Sequence, residues 1–174
     1  MEHLQYPAGR FQIPPAAVNA NDREQLIDGL AAFPNSLRAA TIALDDRTLG
    51  TPYRPGGWTL RQVVHHIADS HMNAYIRCKF ALSEQEPVIK AYDEKVWAVT
   101  AEAALLPVAP SLTLLDGLHL RWAAMFRSLS PADFARAYRH PEMGLVRLDV
   151  ALALYEWHGR HHLEHIRRGS ERAR

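Results

Sequence analysis

Apolar residues recur at helical spacing in four stretches of the chain. In the first, Leu26, Ile27, Leu30, Phe33, Leu37 and Leu44 follow one another at intervals that place them on one face of a helix. Asn21 followed by Glu24 reads as a capping box opening this helix, and Pro34 is expected to kink or interrupt it. The turn chemistry of "TPYRPGGW", residues 51–58, ends the stretch. Thr59 with Gln62 reads as the next capping box. The second helix runs to about Leu82, with Leu60, Val63, Val64, Ile67 and Tyr75 on its inner stripe. The segment "EQEPVIKAYDEKVW" breaks the periodicity and predicts an irregular crossover with room for one short helix. Ser111 is placed to cap a third helix, which carries Leu115, Leu118, Trp122, Phe126 and Leu129 on one face. Pro141 and Gly144 punctuate "YRHPEMGLVRL", a short hairpin or loop. The last helix runs from about Leu148 to Arg168, with Leu148, Ala151, Leu152, Tyr155, Leu163 and Ile166 as its stripe.

Four long amphipathic helices with little strand signal predict an all-α four-helix bundle. Residues 1–18 carry Pro7, Pro14 and Pro15 and are expected to form an extended arm, because proline lacks the amide donor and blocks helix interiors. No internal repeat, low-complexity tract or linker divides residues 1–174, so they read as one domain, long enough to bury a core.

Composition narrows the function classes. Lys and Arg number 20 against 19 Asp and Glu, which gives no general drive towards nucleic acid or an anionic membrane. No nucleic-acid motif appears. The basic end "RRGSERAR" reads as a frayed, solvated terminus. A single cysteine, Cys78, excludes a disulfide within the chain and lies in the second helix's apolar stripe, where it reads as core. The start of the chain lacks the layout of a signal peptide, and no apolar run reaches the roughly 20 residues a bilayer requires. The expectation is a soluble, cytoplasmic protein.

With that composition the 10 histidines are the most unusual feature. Four of them, His158, His161, His162 and His165, lie in "YEWHGRHHLEHIRR". On a helical wheel His162 falls inside the last helix's stripe and His158 at its edge one turn away. His165 is nearer the boundary, and His161 points away beside Trp157 and Glu164. Two imidazoles one turn apart can share a cation, as in H-E-x-x-H zinc sites, though that motif is absent. The spacing alone reads equally well as a pair of hydrogen-bonded core histidines. A third ligand would come from "VVHHIADSHMN" on the second helix. There the wheel favours His71 at the stripe centre, with His66 off it and His65 on the opposite flank near Asp69. His119 sits at the edge of the third helix's inner face and reads as packed. His140 reads as surface, and His3 lies in the arm.

Taken together, "YPAGRF", "TPYRPGGWTLRQVVHHIADSHMNAYIR", "YDEKVW", "LHLRW", "YRHP" and "ALALYEWHGRHHLEHI" resemble the DinB/YfiT superfamily, in particular its YfiT-like branch of metal-dependent hydrolases. The resemblance implies a four-helix bundle holding a divalent ion, zinc or nickel, with three histidines. By the family pattern these match His66, before Ile67, and His158 and His162. It thus agrees with the wheel on the last helix and replaces His71 by His66, leaving His71 as a pocket residue or a partner of a ligand. It also implies a homodimer.

Three neutral imidazoles would leave the ion's charge uncancelled and a coordination position open, the arrangement of a catalytic rather than a structural site. The first expectation is a hydrolase that activates water for attack on a small-molecule substrate. The alternatives are a thiol S-transferase of the bacillithiol type, in which the ion holds the thiolate of a low-molecular-weight thiol, and a non-catalytic metal-binding module. Trp58, Tyr92 and Trp97 are expected pocket walls. Arg61 and Arg77 are candidates to recognise an anionic group, and Asp69 and Glu164 to orient a histidine.

Overall fold

The computed structural model describes residues 2–173. In chain order its elements are α1 (Glu2–Gln5), α2 (Ala20–Thr41), α3 (Asp46–Leu49), α4 (Leu60–Ser83), α5 (Glu94–Ala98), α6 (Ala101–Leu105), α7 (Ala109–Arg127), α8 (Pro131–Phe134), strands β1 (Ala137–His140) and β2 (Gly144–Arg147), and α9 (Leu148–Arg172). The long helices α2, α4, α7 and α9 form a four-helix bundle in which α2 and α4 each pack against both α7 and α9.

Local chemistry sets the helix starts. At α4 the expected capping box is present: the Gln62 N–H donates to Thr59 Oγ1 at 3.2 Å and the Thr59 N–H to Gln62 Oε1 at 2.8 Å. The cap of α2 is Asn19, not Asn21. Its Oδ1 accepts from the Asp22 N–H at 2.9 Å, so the shorter carboxylate at the third helical position takes the place expected for Glu24. Helix α7 opens at Ala109 with proline in its first turn, two residues before the expected Ser111 cap. The Ser111 hydroxyl lies 2.8 Å from His65 Nδ1 instead. The crossover holds the one short helix expected, α5, and a second, α6, follows it before α7.

Helix α2 runs through Pro34 without interruption. The cost of the missing amide falls on one acceptor, the Leu30 carbonyl four residues back, which gains a donor from another helix: His119 Nδ1 on α7 lies 2.7 Å away.

The segment before α9 is a hairpin, pairing Ala137 with Arg147 and Tyr138 with Val146. Gly144, at φ 71°, supplies the left-handed residue that starts its return strand. The Arg139 N–H donates to the Pro87 carbonyl at 2.8 Å, and the Ile89 N–H to the Arg139 carbonyl at 3.0 Å. The hairpin thereby holds the crossover, with Tyr92, against the bundle.

Both chain ends depart from expectation. The arm begins with α1 and then crosses α9, placing Tyr6 6.1 Å from His161 and Phe11 5.7 Å from Trp157, ring centre to ring centre. The Val18 N–H donates to buried Asp149 at 3.1 Å and ties the arm down. The end of the chain is not frayed from residue 167: α9 continues to Arg172, and Arg172 donates to the Tyr53 carbonyl. Arg174 lies outside the described residues.

The apolar core has two parts. One gathers Ile27, Leu30, Cys78, Trp122, Phe126 and Leu152; the other gathers Phe33, Leu37, Val64, Ile67, Leu115 and Leu163. On α4, α7 and α9 the switch from one part to the other falls at histidine: His71, His119, and His158 and His162; His66 lies within the second part, between Val64 and Ile67. A layer of imidazoles therefore crosses the bundle between two apolar ends. Cys78 is fully buried, as expected, and burial pushes its thiol up to about 12.

Candidate metal centre

His66 on α4 and His158 and His162 on α9 come together, with one ring nitrogen of each lying within 4.8 Å of the others. Their ring centres are 5.4 Å apart for His66 and His158, 4.9 Å for His66 and His162, and 4.5 Å for His158 and His162. The one-turn spacing on α9 sets two rings on one face, and α4 brings the third across the helix interface. Trp58 packs on His66 at 4.7 Å. Burial pushes the His66 imidazole down to about 4 and, with repulsion from neighbouring imidazoles, holds His158 and His162 well below their ordinary range. All three are neutral at pH 7, the form that donates a lone pair to a cation.

The three rings line a cavity of about 340 Å³, whose walls include Trp58, Arg77, Tyr92, His140, Trp157 and His161. Trp58 and Tyr92 are wall residues as expected. Trp97 is not in the wall; it packs behind Tyr92 at 4.5 Å. His140 is half-buried in the wall rather than on the surface, because the hairpin turns it inward. His161 does not point to solvent: the arm covers that side of α9, Trp157 stacks on the ring at 4.7 Å, and its Nδ1 is buried without a hydrogen-bond partner among the described protein groups. The aromatic residues Tyr6 and Phe11 of the arm are the signal a single-helix wheel cannot use.

The other histidines surround the site. His71 is fully buried, with Nδ1 2.9 Å from His119 Nε2 and Nε2 3.0 Å from His158 Nδ1. His71 thus touches a member of the cluster without joining it. His165 Nδ1 lies 3.2 Å from His162 Nδ1, and its Nε2 lies 3.2 Å from the Gln5 carbonyl. His161, His162 and His165 also bring nitrogens within 4.8 Å of one another. Both ring nitrogens of His165 are committed to hydrogen bonds, however, which favours the first set as the place for a cation. His65 is held by Ser111 and by the Leu106 carbonyl at 3.0 Å.

Arg61 is spoken for by Asp46 at 2.5 Å and the Leu106 carbonyl at 3.1 Å. Glu164 pairs with Arg167 and Arg168, at 3.2 and 3.4 Å, rather than with a histidine. Burial and the neighbouring Glu102 carboxylate raise Asp69 to about 6. A set of neutral nitrogen donors suits zinc or nickel better than magnesium or calcium, which take oxygen ligands.

Known proteins bear on this arrangement. A family model described as the DinB superfamily matches residues 30–166. A Bacillus licheniformis protein named "Putative metal-dependent hydrolase" is 50% identical over 168 residues, covering 96% of this chain and 95% of the relative. One of the same description from Geobacillus kaustophilus is 47% identical over 168 residues, covering 95% and 93%. The solved structure of YfiT from Bacillus subtilis, described as "a probable metal-dependent hydrolase with an unusual four-helix bundle topology", is 43% identical, with a TM-score of 0.95 over 98% of this chain and 97% of that one. On sequence and on fold alike, this chain belongs to the DinB superfamily.

Proposed function

We propose that the protein is a metal-dependent hydrolase in which His66, His158 and His162 hold one divalent ion, zinc or nickel. The observation that carries this reading is the convergence of three neutral imidazoles, His66 and His162 buried and His158 half-buried, from two helices on the wall of one cavity. When bound, such an ion supplies a Lewis acid with open coordination positions, able to polarise a carbonyl and to lower the pKa of water. The names of the relatives agree with a hydrolytic role.

The chain's own residues do the rest. Trp58 packs on the His66 ring and, with Trp157 and Tyr92, gives an otherwise polar cavity an aromatic wall against which a substrate can shed water. His161 presents a buried, uncommitted Nδ1 on the same wall, a place for a hydrogen bond to substrate. The homodimer implied by the family resemblance and the cytoplasmic setting read from composition belong to the same reading; the described helices include none long and apolar enough to cross a membrane.

Turnover of a panel of esters and amides tests the proposal, measured before and after chelation and with and without an added small thiol. Hydrolysis should vanish on chelation, return with zinc or nickel, and not require thiol. Turnover that survives complete metal removal contradicts the reading, and turnover that requires thiol replaces it with S-transfer.

A further inference from the structure

Among the described residues two arginines are buried, Arg61 and Arg77, and they differ in one respect. Arg61 has the carboxylate of Asp46. Arg77, 7% exposed, forms no ion pair with any carboxylate among the described residues. Its guanidinium donates to the Lys90 carbonyl at 3.2 Å, and it lies 5.9 Å from the Tyr92 ring centre and beside Tyr155. These neutral partners leave donors spare and the charge uncompensated. Buried arginine is rare without a counter-charge, because desolvating the cation is costly. Arg77 lines the same cavity as His66, His158 and His162. Glu94 and Glu142 line it too, but both stand exposed and neither reaches the guanidinium.

We propose that Arg77 is the anchor for an oxyanion of the substrate, a carboxylate or a phosphate, taken up beside the three-histidine cluster. A planar guanidinium matches either group through two parallel hydrogen bonds. The proposal deepens the hydrolase reading by naming a substrate class, but its test does not depend on bound metal. Full-length protein stripped of metal is titrated with acetate, with inorganic phosphate and with uncharged acetamide at constant ionic strength, following thermal stability. At least one anion should stabilise saturably and acetamide should not; which anion does so tells carboxylate from phosphate. Arg77→Met should weaken that binding at least tenfold, and Arg77→Lys should retain part of it. No saturable effect of either anion on the wild type overturns the proposal, as does undiminished binding by Arg77→Met. The wild-type titration decides the matter if the variants do not fold. Metal content, measured separately, bears only on the hydrolase reading.

A second inference rests on the hydrogen bonds behind the cluster. A neutral imidazole donates through one nitrogen and accepts through the other, and a carbonyl only accepts. Two backbone carbonyls therefore fix the order of two chains. The Leu30 carbonyl, freed by Pro34, takes the His119 Nδ1 proton at 2.7 Å. His119 Nε2 must then accept from His71 Nδ1 at 2.9 Å, and His71 Nε2 from His158 Nδ1 at 3.0 Å. The Gln5 carbonyl, at the end of α1, takes the His165 Nε2 proton at 3.2 Å, so His165 Nδ1 accepts from His162 Nδ1 at 3.2 Å.

The geometry points to His71, His119 and His165 as positioning residues that hold His158 and His162 with the proton on Nδ1 and the lone pair on Nε2. This too rests on the proposed ligand set, yet nitrogen NMR of the metal-free protein reads the tautomers without any ion. Wild-type His158 and His162 should both carry the proton on Nδ1. In His71→Leu, His158 should lose that preference while His162 keeps it, and zinc affinity should fall about tenfold, the lower end for loss of such a partner. A wild-type His158 protonated on Nε2 contradicts the inference, as does unchanged zinc affinity in His71→Leu. The wild-type spectrum suffices if the variant does not fold.

Discussion

At the scale of single residues, the site depends on what is missing as much as on what is present. Pro34 lacks an amide proton, and the Leu30 carbonyl it releases anchors His119. Gly159 lacks a side chain: a Cβ there would lie 2.9 Å from the Phe33 ring. Phe33 is itself wedged against His71 and His119, with ring centres 5.4 Å from each, so it has little room to give. Gly159→Ala gains about 1 kcal/mol of helix propensity but overpacks this contact by about 1–3 kcal/mol. The expected net effect is a melting temperature lower by a few degrees, read by calorimetry; a higher one would show that Phe33 moves freely. Some of this was legible beforehand. The one-turn spacing selected His158 and His162 from the four histidines of α9. His66 came from family resemblance and not from the wheel, which favoured His71; in the structure His71 touches the cluster from behind. A wheel ranks residues by depth, and the deepest histidine is the one most enclosed by protein, not the one facing a cavity.

At the scale of elements, the long helices were readable because burial of one face imposes their period, and the hairpin because proline and glycine punctuate it. Boundaries were less so. Asn19 and Asn21 are both competent caps, and only the carboxylate at Asp22 decides between them. Ser111 was expected to cap α7, but its hydroxyl is taken by His65 across the helix interface. The end of α9 is held by a contact with residues far away in sequence: a Cβ at Gly169 would lie 2.6 Å from Leu60 Cδ2, so glycine permits the close approach of α9 to α4. The burial of His161 depends in the same way on Tyr6 of the arm, at the opposite end of the sequence. Such long-range pairings have no local pattern from which to be read.

At the scale of the molecule, the bundle is built as two apolar ends around a layer of imidazoles. The apolar ends supply the burial that holds the helices together, and the layer carries polar groups that would be costly there without partners. Five of its histidines, His66, His71, His119, His158 and His162, come from three helices. The hydrogen bonds of His158, His71 and His119 run outward to the Leu30 carbonyl, while one side of the layer opens to the cavity that holds Arg77. In the proposed reading a single cation sits at that opening, and the fold around it presents neutral nitrogen. Metal titration of the purified chain, with content determined by mass spectrometry, tests this most directly. The wild type should retain about one zinc or nickel ion per chain, and the double variant His158→Ala, His162→Ala should retain almost none, since metal affinity depends on the full ligand set. Equal metal content in the two proteins would contradict the account.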